Sequence, residues 1–111
     1  MAPKVKICGI STANDYIICS DAGAHWTGMV YYPGSSRHLD LTGLAALADC
    51  ADSIGSNAPE RVLLSVDIVG EKVMPIIEAA RPDMLQLHGK ETCQDVANIK
   101  ARTSLPVIKA I

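Results

Sequence analysis

The sequence predicts an α/β fold with a parallel sheet, because short apolar runs alternate with longer amphipathic runs along the whole chain. Strands are predicted at residues 4–8, 26–32, 62–67, 84–88 and 106–111, and helices at residues 12–22, 41–54, 70–80 and 91–102. Two architectures fit such repeated units: a doubly wound open sheet, or strands 1–5 and helices 1–4 of a (β/α)8 (TIM) barrel. The compact, uninterrupted βα units favour the barrel.

The first βα unit places a cysteine where α/β proteins build active sites. The apolar run 4–8 ends at Cys8, Gly9 supplies a turn, and Thr12 opens the first helix. A thiol near the amino end of a helix and near cations ionises more easily, so Cys8 can act as a base or a nucleophile. The alternative is a small buried hydrophobic residue, which describes most free cysteines.

The second unit contains the longest connecting loop. Its strand at residues 26–32 is followed by a loop at residues 33–38, which includes Arg37. Asp40 is expected to cap the next helix, because its side chain can accept a hydrogen bond from the first turn. Apolar residues then recur at helical spacing: Leu41, Leu44, Ala45, Leu47, Ala48, Ala51 and Ile54.

The remaining elements continue the alternation. The third predicted strand, at residues 62–67, is almost entirely apolar, as expected when both faces of a parallel strand are buried. Pro75 lies inside the third predicted helix and indicates a late start or a kink, because proline has no amide hydrogen. The turn at residues 81–83 ends that helix.

Composition limits the classes of function. The chain has 111 residues, is 49% hydrophobic without phenylalanine, and carries a net charge of −2. Its charges are interspersed, so we expect no nucleic-acid or membrane partner. Its four cysteines and three histidines are scattered, which predicts a reduced, cytoplasmic protein without a metal site. The turn after the first predicted strand also lacks the G-x-G-x-x-G pattern of dinucleotide-binding sheets.

Three blocks of residues resemble one enzyme family. Residues 6–11 (K-I-C-G-I-S) are similar to the K-I-C-G-[ILF]-[TS] opening of phosphoribosylanthranilate isomerases, which are (β/α)8 barrels of tryptophan biosynthesis. Residues 32–37 (Y-P-G-S-S-R) resemble that family's F-x-x-x-S-x-R loop after strand two, and residues 85–91 (L-Q-L-H-G-K-E) resemble its Q-L-H-G-x-E block after strand four. The resemblance implies that residues 1–111 form the amino-terminal portion of a single TIM-barrel domain.

The resemblance also implies an Amadori rearrangement without a cofactor. N-(5-phosphoribosyl)anthranilate would become 1-(2-carboxyphenylamino)-1-deoxyribulose 5-phosphate, as a general acid opens the sugar ring and a general base removes the proton from C2. Cys8 matches the family's general base, and Arg37 matches the arginine that holds the anthranilate carboxylate. His88 and Asp67 are assigned to substrate binding, with a structural histidine bonded to the backbone as the alternative for His88. Asp67 stands where an F-V-N-like run is common in the family.

Other polar residues are assigned structural or supporting roles. Lys6 shares a strand face with Cys8, because side chains alternate, and it either supports a thiolate or pairs with an acidic neighbour. Gln86 is expected to belong to a polar layer inside the barrel. Purely structural roles are assigned to His25, His38, Cys19, Cys50 and Cys93.

A barrel of this family needs at least about 200 residues. The resemblance therefore implies that the general acid and the phosphate-binding loops lie in a carboxyl-terminal half beyond residue 111. We expect residues 1–111 alone to be inactive. Their expected partners are that carboxyl-terminal half and the small-molecule substrate. Two alternatives remain: a non-catalytic half-barrel that binds a partner segment or self-associates, and a cysteine hydrolase that uses Cys8 with His88.

Overall fold

The computed structural model describes residues 3–111, in which five strands alternate with four helices. The strands are β1 (Lys6–Ile7), β2 (Trp26–Tyr31), β3 (Glu60–Ser65), β4 (Met84–Leu87) and β5 (Val107–Lys109). The helices are α1 (Ala13–Asp21), α2 (Leu41–Ile54), α3 (Val73–Ala80) and α4 (Cys93–Thr103). The predicted α/β class and the predicted number of elements are confirmed.

The order of the strands decides between the two predicted architectures. All neighbouring strands are parallel, and their order in the sheet is β1-β2-β3-β4-β5. A doubly wound sheet reverses its strand order at a switch point, whereas a barrel adds each new strand to the same edge. The sheet is therefore built as the wall of a barrel, as the compact βα units predicted.

The hydrophobic core lies between the sheet and the helices. Met29, Leu63 and Leu85 project from the three central strands and pack against the apolar faces of the helices. Tyr16 of α1 is completely buried there, and its hydroxyl donates to the Pro59 carbonyl oxygen (2.5 Å). These contacts hold the helices on one face of the sheet.

The opposite face of the sheet is only partly covered among the described residues. Because side chains alternate along a strand, the neighbours of the core residues point to this second face. A small cavity of about 240 Å³ opens on it, lined by Lys6, Trp26, Val62, Met84 and Ile108. Ile108 is 42% exposed, although it is apolar. In a closed barrel this face would be the interior.

The observed boundaries follow from local capping and from proline. Asp40 caps α2 as predicted, accepting a hydrogen bond from the Gly43 N–H (2.8 Å). The late start predicted from Pro75 is confirmed, since a 3₁₀ turn (Gly70–Lys72) precedes α3 and proline occupies its first turn, where no amide hydrogen is required. Helix α4 begins two residues later than predicted, because Thr92 forms a capping box with Asp95.

The strands also differ from the predicted ranges. Strand β3 runs from Glu60 to Ser65, so it ends before Asp67, whose φ of 56° lies in the left-handed region. Strand β1 is shortened to Lys6–Ile7, because only these two residues pair with β2. Cys8 and Asp67 therefore lie just beyond their strands. None of the described helices is long and apolar enough to cross a bilayer.

Candidate active site

The four predicted site residues follow four successive strands. Cys8 comes directly after β1, Arg37 lies in the loop after β2, Asp67 follows β3, and His88 follows β4. All four are exposed. Because the strands are parallel, their carboxyl ends meet at one edge, so all four residues belong to the same rim of the sheet.

Cys8 is held close to the backbone of β2. The Ile10 N–H donates to the Gly28 carbonyl oxygen (3.0 Å), which ties the turn after β1 to β2. A Cβ atom at Gly28 would lie 3.1 Å from the Cys8 Cα and 3.4 Å from its Sγ. The absence of a side chain at Gly28 thus leaves the space that Cys8 occupies.

Arg37 is brought to the turn that carries Cys8. Its loop folds back on β2, since His38 bridges to Val30, and the Ser35 hydroxyl accepts from the Arg37 N–H (3.1 Å). The guanidinium Nη1 donates to the Gly9 carbonyl oxygen (3.3 Å). This contact uses one of the five N–H donors of a guanidinium. It places the Arg37 side chain beside Gly9, the residue that follows Cys8 in the chain.

Asp67 and His88 are joined through the loop that follows β4. The Asp67 Oδ1 accepts from the Lys90 N–H (2.6 Å), and the His88 N–H donates to the Ser65 carbonyl oxygen (3.0 Å). Gly89 makes this contact possible, because a Cβ atom there would lie 2.4 Å from the Asp67 Oδ1. On the rim, the Arg37 loop therefore contacts the turn that follows Cys8, and the loop that carries Asp67 contacts the loop that carries His88.

Sequence reasoning missed an ionic pair between the buried Glu91 and the partly exposed Lys109, beside the loops of Asp67 and His88. The Glu91 side chain has no exposed surface and accepts hydrogen bonds from the backbone N–H groups of Asp67 (2.9 Å) and Gly89 (2.9 Å). The Lys109 Nζ lies 3.3 Å from the same carboxylate and donates to the Gly89 carbonyl oxygen (2.8 Å). The sequence did contain an indication of this residue, since Glu91 ends the third block of the family resemblance.

The surroundings of Glu91 favour its charged form. Burial by itself raises the pKa of this carboxyl. Hydrogen bonds lower the pKa by more than burial raises it. They come from the Lys109 ammonium and from the backbone N–H groups of Asp67, Glu91 and Gly89. The pKa of Glu91 consequently lies below its ordinary value of 4.5.

Within residues 3–111, the Lys6 ammonium contacts a neutral side chain rather than a carboxylate. It donates to the Gln86 side-chain carbonyl on the uncovered face of the sheet. The alternative in which Lys6 pairs with an acidic neighbour is not realised among the described residues, whereas its support of a Cys8 thiolate stays a prediction. A neutral amide satisfies the ammonium because Gln86 projects from β4 on the same face, so that the contact crosses the two intervening strands β2 and β3. Gln86 and Lys6 thus form a polar contact on this face, and the predicted polar layer inside a barrel stays a prediction.

The remaining histidines and cysteines occupy structural positions. The Nδ1 atoms of His25 and His38 accept from the backbone N–H groups of Val5 (3.0 Å) and Tyr32 (2.9 Å). Burial, with the nearby Asp15 carboxylate, raises the pKa of the Cys19 thiol. All four cysteines are free, and residues 3–111 contain no cluster of side chains suited to a metal ion.

Comparison with known proteins identifies the family. A sequence model described as N-(5'phosphoribosyl)anthranilate (PRA) isomerase matches residues 5–111. The chain belongs to the PRA isomerase family. The match includes the three blocks on which the resemblance was based.

Individual PRA isomerases show how far the similarity extends. The chain is 47% identical over 111 residues to the N-(5'-phosphoribosyl)anthranilate isomerase of Nitrobacter winogradskyi, covering all of this chain and 48% of that protein. It is 42% identical over 108 residues to the isomerase of Cereibacter sphaeroides, covering 97% of this chain and 49% of that protein. The chain thus spans about half the length of these curated relatives.

Solved PRA isomerases share the same arrangement. A crystal structure in complex with reduced 1-(o-carboxyphenylamino)-1-deoxyribulose 5-phosphate superposes with a TM-score of 0.85 at 28% identity, covering 99% of this chain and 54% of that one. The enzyme from Thermus thermophilus gives a TM-score of 0.84 at 32% identity, and the match covers 98% of this chain and 52% of that one. The five strands and four helices are thus similar to about half of the barrel in those enzymes.

Proposed function

We propose that this chain provides part of a phosphoribosylanthranilate isomerase. The enzyme would convert N-(5-phosphoribosyl)anthranilate into 1-(2-carboxyphenylamino)-1-deoxyribulose 5-phosphate by an Amadori rearrangement, a step of tryptophan biosynthesis. The observation that carries the proposal is the family match over residues 5–111, together with the position of Cys8 beside the Arg37 loop. One solved relative holds a reduced form of that aminoketose, which is the same chemical class of ligand.

Cys8 is proposed as the general base that removes the proton from C2 of the sugar. Its exposure at the carboxyl end of β1 supports this role, because a base must reach the proton that it abstracts. Such a group contributes about 10²–10⁴-fold to the rate. The reaction needs no redox or carrier group, so no cofactor is proposed.

Arg37 is proposed to bind the carboxylate of the anthranilate ring. A guanidinium matches a planar carboxylate with two parallel N–H bonds, which a lysine ammonium cannot reproduce. Its contact with the Gly9 carbonyl would keep the bound ring near the turn that carries Cys8. The reacting carbon and the proposed base would then be held together.

Asp67 and His88 are proposed to contact the substrate from the neighbouring strands. Both are exposed on the same rim, and the contacts between their loops fix them relative to each other. The hydrolase alternative lacks the pairing that it requires, since no Cys–His hydrogen bond is formed within residues 3–111. The comparisons give no support to a non-catalytic half-barrel.

We propose that residues 1–111 are the amino-terminal part of one TIM-barrel domain, which is completed by a carboxyl-terminal half. The partly covered sheet face and the exposed apolar residues near the two outer strands, Val5, Ile7 and Ile108, support this arrangement. The four free cysteines fit a reducing compartment, so a cytoplasmic location is proposed as well.

A chimeric protein tests the proposal directly. Residues 1–111 would be fused to the part of the Nitrobacter winogradskyi relative that lies outside the matched region, and the loss of phosphoribosylanthranilate fluorescence would be followed. A folded, active chimera that loses its rate on Cys8→Ala is the expected result. A folded chimera without isomerase activity would contradict the proposed function.

A further inference from the structure

Glu91 is a buried carboxylate that joins three parts of the rim. Its Oε2 accepts from the Asp67 N–H after β3, and its Oε1 accepts from the Gly89 N–H after β4. The Lys109 ammonium reaches the carboxylate from the end of β5. The Glu91 side chain has no exposed surface, so these groups surround it in place of water.

The same contacts fix the loops that carry two proposed substrate-binding residues. Asp67 adopts a left-handed conformation that is uncommon for a residue other than glycine, and its N–H points to Glu91. Its carboxylate in turn accepts from the Lys90 N–H, which closes the loop around Gly89. His88 immediately precedes Gly89, so its backbone position depends on the same loop.

Lys109 also holds the loop around Gly89. Its ammonium donates to the carbonyl oxygens of Gly89 (2.8 Å) and Ala110 (2.6 Å) as well as facing Glu91. The Gly89 peptide is therefore held at its N–H by Glu91 and at its carbonyl by Lys109. A glutamine at position 91 could not replace the carboxylate, because its NH₂ group would face an N–H donor.

We propose that Glu91, with Lys109 as its counter-ion, is a positioning residue that holds Asp67 and the His88 loop in the geometry that binds substrate. The inference rests on the proposed function, because it assigns a role in that same site. Glu91 itself is buried and does not touch the substrate. Its effect is transmitted through the backbone of residues 67 and 88–90.

Kinetics of the chimera test the functional part of the proposal. Glu91→Gln is expected to lower kcat/KM by about 10²-fold, since small displacements of positioning groups have effects of this size. Lys109→Met is expected to lower it as well, and the double variant should be no worse than the more damaged single variant, because both act on one unit. Glu78→Gln, on the exposed surface of α3, is the matched control and should leave kcat and KM unchanged.

Amide resonances test the geometry without any need for activity. The Asp67 and Gly89 amide protons should shift together as the pH falls through the pKa of Glu91, with a midpoint below 4.5. Glu91→Gln should abolish this titration. Asp67→Asn should preserve the titration of the Gly89 amide proton. This variant shows that the titrating group is Glu91 and not the Asp67 carboxyl.

The outcomes distinguish this inference from the proposed function. A folded but inactive chimera would reject the proposed function, and the amide titration would still decide whether Glu91 holds the two loops. Absence of that titration would overturn the inference. It would also be overturned if Glu91→Gln lowered the unfolding temperature but left kcat, KM and the resonances of residues 67 and 88–90 unchanged.

Discussion

At the scale of single residues, the candidate residues of the rim are exposed, and backbone contacts restrain them. Cys8 is exposed, but the backbone of β2 at Gly28 limits where its side chain can lie. Arg37 is likewise exposed, and its contact with the Gly9 carbonyl keeps it near the first turn. Both residues are thus restrained without being buried, which suits groups that meet a substrate.

The first prediction concerns Cys8. In the chimera, Cys8→Ala should lower kcat by about 10²–10⁴-fold, because a general base contributes this much to a proton abstraction. The unfolding temperature should change little, since the exposed thiol packs against few atoms. Cys93→Ala, at an exposed cysteine of α4, is the matched control and should retain the parent rate. Near-parental turnover of Cys8→Ala would show that another group is the base.

The second prediction concerns Arg37. Arg37→Lys should raise KM more than it lowers kcat, because the proposed contact is to a carboxylate that takes no part in the reaction. Arg102→Lys at the exposed end of α4 serves as the control. Steady-state kinetics of the chimera give the measurement, and an unchanged KM would remove the proposed carboxylate contact.

At the scale of elements, the amino ends of the helices set where the loops of the rim end. Thr92 caps α4 through its hydroxyl, which accepts from the Asp95 N–H (3.1 Å), and the Asp95 carboxylate accepts from the Thr92 N–H (2.9 Å). This reciprocal cap ends the preceding loop at Thr92 and leaves Glu91 outside the helix. Glu91 can therefore turn inward to the ends of β3 and β4.

The third prediction tests that cap. Thr92→Ala should lower the free energy of unfolding of the chimera by about 1 kcal/mol, because it leaves a helix N–H without its side-chain acceptor. Thr42→Ala, which removes an exposed threonine in α2 that caps nothing, should have no such cost. Urea unfolding of both variants gives the comparison. Equal stabilities would mean that the cap does not anchor α4.

At the scale of the whole molecule, the described part of the sheet has two outer strands. Within residues 3–111, β1 pairs only with β2, and β5 pairs only with β4. Unpaired strand edges invite association with other chains. In a closed barrel the two outer strands would gain neighbours, and the partly covered face would become the barrel interior.

The fourth prediction concerns the 111 residues as a separate polypeptide. Residues 1–111 alone should show no isomerase activity and should self-associate, because the relatives that they match are about twice as long and the two outer edges stay open. Light scattering and the fluorescence assay give the measurements. Adding the other part of the Nitrobacter winogradskyi relative in trans should restore some activity. A monomeric, active 111-residue polypeptide would contradict this expectation.

Sequence patterns were sufficient to predict the α/β class, the number of elements and the place of the candidate residues after successive strands. They could do so because hydrophobic periodicity, capping residues and proline act over only a few residues, as at Asp40 and Pro75. Cys8 and Arg37 were found because motifs and strand ends are local features as well.

The strand order, the partner of Lys6 and the burial of Glu91 become apparent only in the tertiary structure. Each depends on contacts between residues far apart in the chain, which local patterns do not encode. Glu91 lies 24 positions from Asp67, and it reaches Lys109 only because β4 and β5 are neighbours. Its charge marks it as a surface residue in the sequence, whereas the backbone N–H groups and the ammonium that permit its burial come together only when the strands are assembled.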